Sequence, residues 1–158
     1  MNKFKRITQT QWLMDKVEEI HPYSKDMKMP KRATNGSAGY DIFALADFTL
    51  NPGETIILPT GLSVVTDPDK FLGIFPRSGL GFKFRTQLWN TVGIIDSDYH
   101  DADNEGHMWV KMINESDKVL NVKEGEAFCQ AVLLPFFKMD DDIEPDEKRI
   151  GGFGSTTR

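Results

Sequence analysis

Between Ile42 and Phe137 the chain reads as a succession of short extended segments, each closed within a few positions by turn residues. Asn51-Pro52-Gly53 separates Phe48–Leu50 from Thr55–Leu58, Thr60-Gly61 precedes Leu62–Thr66, and Asp67-Pro68-Asp69 precedes Phe71–Phe75. From His107 to Asn114 the period of two places Met108, Val110 and Met112 on one face and Trp109 and Ile113 on the other. Glu124-Gly125-Glu126 then leads into Phe128–Leu134. Many short strands at this spacing predict a β-sandwich or barrel rather than strand–helix–strand units. The 158 residues make one domain, and a domain near this size buries about 68–70% of its unfolded surface, enough to fold without staples.

The two ends depart from this pattern. Leu13, Val17 and Ile20 have helical spacing, and Thr8 with Gln11 matches a capping box. A helix from about Gln9 to Ile20 would stop before His21-Pro22; a short strand around Val17–Ile20 is the competing reading, and pattern alone leaves both open. Beyond Met139 the chain turns acidic and is interrupted by Pro145 before Gly151-Gly152-Phe153-Gly154-Ser155-Thr156. Such a stretch has little to bury and much entropy to lose, so a mobile tail is expected. The expected division is an N-terminal extension over 1–15, a β domain over 16–138 and a flexible C-terminal arm over 139–158.

Charge narrows the partners. With 24 acidic against 19 basic residues the formal charge is −5, whereas duplex binding draws its affinity from phosphate neutralisation. No nucleic acid partner is expected, but a local pocket for a small anion is compatible with this balance. The single Cys129 forms no intrachain disulfide. The opening MNKFKRITQTQW lacks the apolar core of a signal peptide, and the apolar run Ala131–Phe137 is too short to span a bilayer. No membrane association is therefore expected, and the expected location is the cytoplasm (a host's cytoplasm for a phage-borne copy).

Five short segments carry groups suited to chemistry. Gly93-Ile94-Ile95-Asp96-Ser97-Asp98-Tyr99 is an apolar run ending in two acids and an aromatic, as for a strand delivering carboxylates into a site. A carboxylate near a phosphoryl centre can orient and deprotonate water, although a plain hairpin turn also favours acids. In Pro76-Arg77-Ser78-Gly79-Leu80, the arginine fork suits phosphate and Ser78 adds a donor; the bland reading is a turn with a surface arginine. The glycines of the closing segment let backbone N–H groups approach an anion, and Phe153 could stack on a base. No Gly-Lys-Ser/Thr follows, so it is not a Walker A loop. Ala38-Gly39-Tyr40-Asp41 and Gly125-Glu126 with Gln130 complete the set, each weak alone.

Taken together and in order, these five segments closely resemble the five motifs of the trimeric dUTPase family, over roughly Met29 to Thr156. The resemblance implies an all-β, dUTPase-like jelly-roll or distorted barrel with little helix (one at the N-terminus at most). It also implies a homotrimer with sites between subunits and hydrolysis of dUTP to dUMP and pyrophosphate. By it, Asp96 matches the catalytic aspartate that activates the water attacking the α-phosphorus. Asn90, Gly93 and Ile95 match the segment that holds uracil, and Tyr99 the aromatic beneath the deoxyribose. Arg77, Ser78, Gly79 and Gln130 match phosphate contacts. Asp41 resembles the aspartate that holds a water on Mg²⁺, the ion being held mainly by the triphosphate. Phe153, Gly154 and Ser155 match the closing arm, with Phe153 on uracil.

Three departures stand out. Lys148 occupies the usual arginine position of the fifth motif and Arg149 follows it; either could take the γ-phosphate, with Arg149 preferred. His100-Asp101-Ala102-Asp103-Asn104-Glu105 enlarges a turn that is tight in most relatives. His100, Asp101, Asp103 and His107 tempt a metal-site reading, but a solvated loop is expected, since a hairpin tip enforces no ligand geometry. The stretch before about Lys16 exceeds the family core. Two rivals remain. A dCTP deaminase shares the fold, but alignment through Gly106-His107 puts Lys111 where that family has its catalytic glutamate, and Ser97-Asp98-Tyr99 replaces its Pro-Gly. A regulatory dUTPase-like protein binding nucleotide or a protein partner is the other, with the enlarged turn and the extra amino terminus as its docking surfaces.

Overall fold

The structure is a computed structural model that describes residues 1–146 and 149–152. In chain order its strands are β1 (Lys3–Arg6), β2 (Lys31–Arg32), β3 (Tyr40–Phe43), β4 (Phe48–Leu50), β5 (Thr55–Pro59), β6 (Leu62–Val65), β7 (Lys70–Pro76), β8 (Thr86–Leu88), β9 (Gly93–Ile95), β10 (Trp109–Asn114), β11 (Leu120–Val122) and β12 (Ala127–Pro135). Two short helices interrupt them, α1 (Gln9–Met14) and α2 (Ser78–Phe84). All strand pairings among the described residues are antiparallel. The largest sheet has the order β2-β3-β12-β7-β9, a second runs β5-β10-β8, and two ribbons pair β1 with β6 and β4 with β11. The fold is all-β.

The alternation read from the sequence works as a packing code. On β10, Met108 just before the strand, Val110 and Met112 are 1–3% exposed, while Trp109 and Ile113 are half-buried on the other face. They meet Ile42 of β3, Leu72 and Ile74 of β7, and Phe128, Cys129 and Ala131 of β12 in one core. Each such side chain contributes about 1.5–3 kcal/mol on burial.

The amino-terminal residues are packed into this body. β1 pairs with β6 from Lys3↔Val65 to Arg6↔Leu62, and Ile7, Trp12 and Val17, all 0% exposed, build a second core with Leu45. Thr8 caps α1, its Oγ1 accepting from the Gln11 N–H at 3.2 Å. The reciprocal half of the capping box goes elsewhere: Thr8 donates its N–H and its hydroxyl to Glu105 at 2.8 and 2.6 Å. The helix does not run on to Ile20. Lys16 adopts φ 56, which breaks it, and a 3-10 turn over Val17–Glu19 follows; no strand forms there. The break lets Trp12 and Val17 share one apolar pocket.

Two further segments differ from their simplest readings, and for the second an expectation is corrected. Pro76–Leu80 continues into α2 instead of forming only a turn. The enlarged segment after Tyr99 is not a solvated hairpin tip. It starts as a 3-10 turn over Tyr99–Asp101 and folds back, so that Ala102, Gly106 and His107 are buried while Asp101 and Asp103 stay exposed. Two of its polar side chains found partners in the amino-terminal segment, Glu105 with Thr8 and His107 with Asp15, which no local pattern could reveal. Among the described residues no three acidic, histidine or cysteine side chains converge to hold a metal, and no helix is long and apolar enough to cross a membrane.

Candidate active site

A cleft of about 210 Å³ opens beside β9, lined by Asn90, Gly93, Ile95, Asp96, Tyr99 and Arg149 among others. β9 is the edge strand of the large sheet, bonded to β7 with Gly93 opposite Ile74 and Ile95 opposite Leu72. Its outer side therefore presents backbone donors and acceptors with no partner strand among the described residues. Asp96 follows directly and is half exposed. The chain then turns, the Tyr99 N–H donating to the Asp96 carbonyl at 3.1 Å, and this swings the Tyr99 ring inward to 5% exposure. Burial pushes the Tyr99 phenol above its ordinary value, with the Asn104 hydrogen bond and Arg149 working the other way.

Arg149 reaches this cleft from the far end of the chain. Its Nη2 pairs with Asp96, its Nε donates to Asp98 at 2.7 Å, and its guanidinium stands 5.7 Å from the Tyr99 ring centre. Asp98 had no assigned role in the sequence reading, although its spacing two residues after Asp96 puts both carboxylates within one guanidinium's reach. Lys111 of β10 also lines the cleft, its ammonium 4.4 Å over the Trp89 ring.

A second polar cluster sits at the other end of the sheet. The register Asp41↔Gln130↔Phe75 across β3, β12 and β7 brings Arg77 beside Asp41, Nε to Oδ1 at 3.0 Å. Arg77 also donates Nη1 to the Ala127 carbonyl at 3.2 Å, and Gln130 donates to the Pro76 carbonyl at 2.9 Å. Ser78 and Gly79 open α2 and are exposed; first-turn N–H groups there lack intrahelical partners. Cys129, next to Gln130, is fully buried and its thiol is pushed well above the ordinary range by desolvation, so it is not a nucleophile.

These two clusters do not meet within the chain. Asp96 lies one residue beyond Ile95 and so level with Phe71, whereas Arg77 lies just past the other end of β7. Six residues of extended chain separate them, about 20 Å. The sequence-derived residues thus divide into Asn90, Gly93, Ile95, Asp96, Tyr99 and Arg149 on one side, and Asp41, Arg77, Ser78, Gly79 and Gln130 on the other. Lys148, Phe153, Gly154 and Ser155 lie outside the described residues.

Comparison with known proteins bears on this arrangement. The family model described as dUTPase matches residues 25–157. A deoxyuridine 5'-triphosphate nucleotidohydrolase of Lactococcus lactis subsp. lactis (strain IL1403) is 42% identical over 132 residues, covering 82% of this chain and 88% of the relative. One from Actinobacillus succinogenes is 44% identical over 133 residues, covering 80% and 85%. Among solved structures, the dUTPase of Streptococcus mutans superposes with a TM-score of 0.69 at 31% identity, covering 87% of this chain and 98% of that one. A Staphylococcus aureus phage phi11 dUTPase shares the fold at TM-score 0.64 and 20% identity, over 98% and 99% of the two chains. With the match running across both polar clusters, the chain belongs to the dUTPase family.

Proposed function

We propose that the protein hydrolyses dUTP to dUMP and pyrophosphate in the cytoplasm, at sites shared between the copies of a homotrimer. The observation that carries this is the placement of Asp96 at the mouth of a cleft with an open strand edge on one side and a buried tyrosine on the other.

The edge of β9, with the Asn90 amide, suits the alternating acceptors and donor of a uracil imide. Cytosine reverses part of that pattern and would leave backbone groups unpaired, which a built polar site rejects strongly. Tyr99 packs beneath the sugar and leaves no room for a 2′-hydroxyl. Asp96 accepts a proton from water as the water oxygen bonds to the α-phosphorus; the bond from that phosphorus to the α–β bridging oxygen breaks, and pyrophosphate leaves with the electron pair. Arg77, Ser78, Gly79 and Gln130 of a neighbouring copy hold the phosphates, because 20 Å or so of sheet keeps them from the same chain's Asp96. Arg149, bound to Asp96 and Asp98 here, transfers to the γ-phosphate when substrate enters, and the arm with Phe153, Gly154 and Ser155 closes over the nucleotide.

Magnesium fits the donor set. Asp41 is a single carboxylate, partly exposed and already paired with Arg77. It suits contact through a water with an ion held mainly by the triphosphate, and Mg²⁺ retains its waters readily. The ion would supply charge neutralisation on the phosphates.

Product analysis tests the reading: purified protein with Mg²⁺ is incubated separately with dUTP, dCTP, dTTP and UTP. Release of dUMP and pyrophosphate from dUTP alone is expected. A uracil nucleotide appearing from dCTP would make the protein a deaminase, and no turnover of any substrate would favour a regulatory binding protein.

A further inference from the structure

We propose that Asn104 is a positioning residue that sets sugar selectivity by fixing the hydroxyl end of Tyr99. The inference rests on the reading of Tyr99 as the wall beneath the deoxyribose. A wall separates hydrogen from hydroxyl at the 2′-carbon only if it cannot recede, so its selectivity depends on what stands behind it.

What stands behind Tyr99 is the enlarged segment itself. The Tyr99 hydroxyl donates to the His107 carbonyl at 3.1 Å and accepts from the Asn104 side-chain amide at 2.9 Å. Asn104 is held in turn, its Oδ1 accepting from the Gly106 N–H at 3.1 Å. Gly106 has φ +68, and a Cβ there would fall 2.7 Å from both the His100 Cα and the Tyr99 carbonyl oxygen. Only glycine closes this loop so tightly.

The brace is anchored from outside. Glu105 takes both donors of Thr8. His107, 0% exposed, bonds Asp15 through Nδ1 at 2.6 Å and accepts the Gly61 N–H at Nε2 at 3.0 Å. The amino-terminal segment thus locks the loop, and the loop locks the ring. On the cleft side Gly152 lies flat against the same ring, where a Cβ would meet Tyr99 Cε2 at 2.7 Å.

The test compares wild type, Asn104→Ala, Tyr99→Phe and the double variant, measuring kcat/KM for dUTP and for UTP. Removing the Asn104 amide should lower the dUTP-to-UTP ratio about tenfold or more, through a rise for UTP and a higher KM for dUTP. The double variant should show no further fall beyond the larger single effect, because the Asn104–Tyr99 bond is already lost in each single variant. General misfolding would lower both nucleotides equally. A preserved ratio in an Asn104→Ala protein that keeps the wild-type melting temperature, or fully additive losses, overturns the proposal. The exchange rate of the Tyr99 hydroxyl proton, followed by NMR on the ligand-free proteins, gives a reading that needs no turnover. Faster exchange in Asn104→Ala supports the brace, and unchanged exchange overturns it. A wild type inert toward dUTP overturns the hydrolase reading alone, leaving the exchange rate to decide the brace.

Discussion

At the scale of residues, Asp96 carries two relationships that pull in different directions. It is half exposed beside the cleft, as a proton acceptor for water must be, and it is paired with Arg149. If it is the base, Asp96→Asn should bind dUTP nearly as well as wild type while turnover falls about 10²–10⁴-fold, the usual worth of a positioned base. Calorimetric titration beside single-turnover kinetics separates the two, and near-normal turnover would remove Asp96 from the mechanism. Gly152 offers a second check. A methyl group there meets the Tyr99 ring and hydroxyl at 2.7–2.8 Å, so Gly152→Ala should keep the segment from seating on the cleft. The expected result is a raised KM for dUTP and an unchanged melting temperature; a wild-type KM would show that the seating has no part in substrate binding.

At the scale of elements, the amino-terminal segment and the loop after Tyr99 behave as one unit, joined by the His107–Asp15 and Glu105–Thr8 contacts. Burial holds His107 below its ordinary value of 6.5, outweighing the opposite pull of Asp15 and Glu105. The unfolded chain therefore binds a proton that the folded protein resists. Stability is full above about pH 6.5 and declines as the pH falls from there toward the lower folded value. Melting temperatures measured from about pH 7.5 down to about pH 5 should fall in wild type and fall less steeply in His107→Gln, which titrates nothing at this position. Equal slopes would locate the acid sensitivity elsewhere.

For the whole molecule, the decisive fact is that the two polar clusters lie at opposite ends of β7. A site using both must draw on more than one copy, so two inactive variants should complement each other. Arg77→Ala and Asp96→Asn, unfolded together and refolded as a mixture, should recover up to about a quarter of wild-type activity by random assembly. A mixture as inactive as its parts would mean that each chain carries its own complete site.

The strands were legible because alternation is a local property: Met108, Val110 and Met112 announce a buried face whatever the rest of the chain does. The family resemblance was legible for a related reason, since its five segments are short and ordered along the chain. Other features had no local signature. The pairing of His107 with Asp15 spans 92 positions, and that of Arg149 with Asp96 spans 53. The residues after Tyr99 looked like a polar loop because they are polar, and only packing showed that Glu105 and His107 are spent on the amino-terminal segment and Asn104 on Tyr99. Periodicity and motif order, which depend on neighbours in sequence, determined the β architecture and the family. Which carboxylate meets which base, and which end of the sheet each cluster occupies, depends on strand register and long-range closure, and that the tertiary structure alone decided.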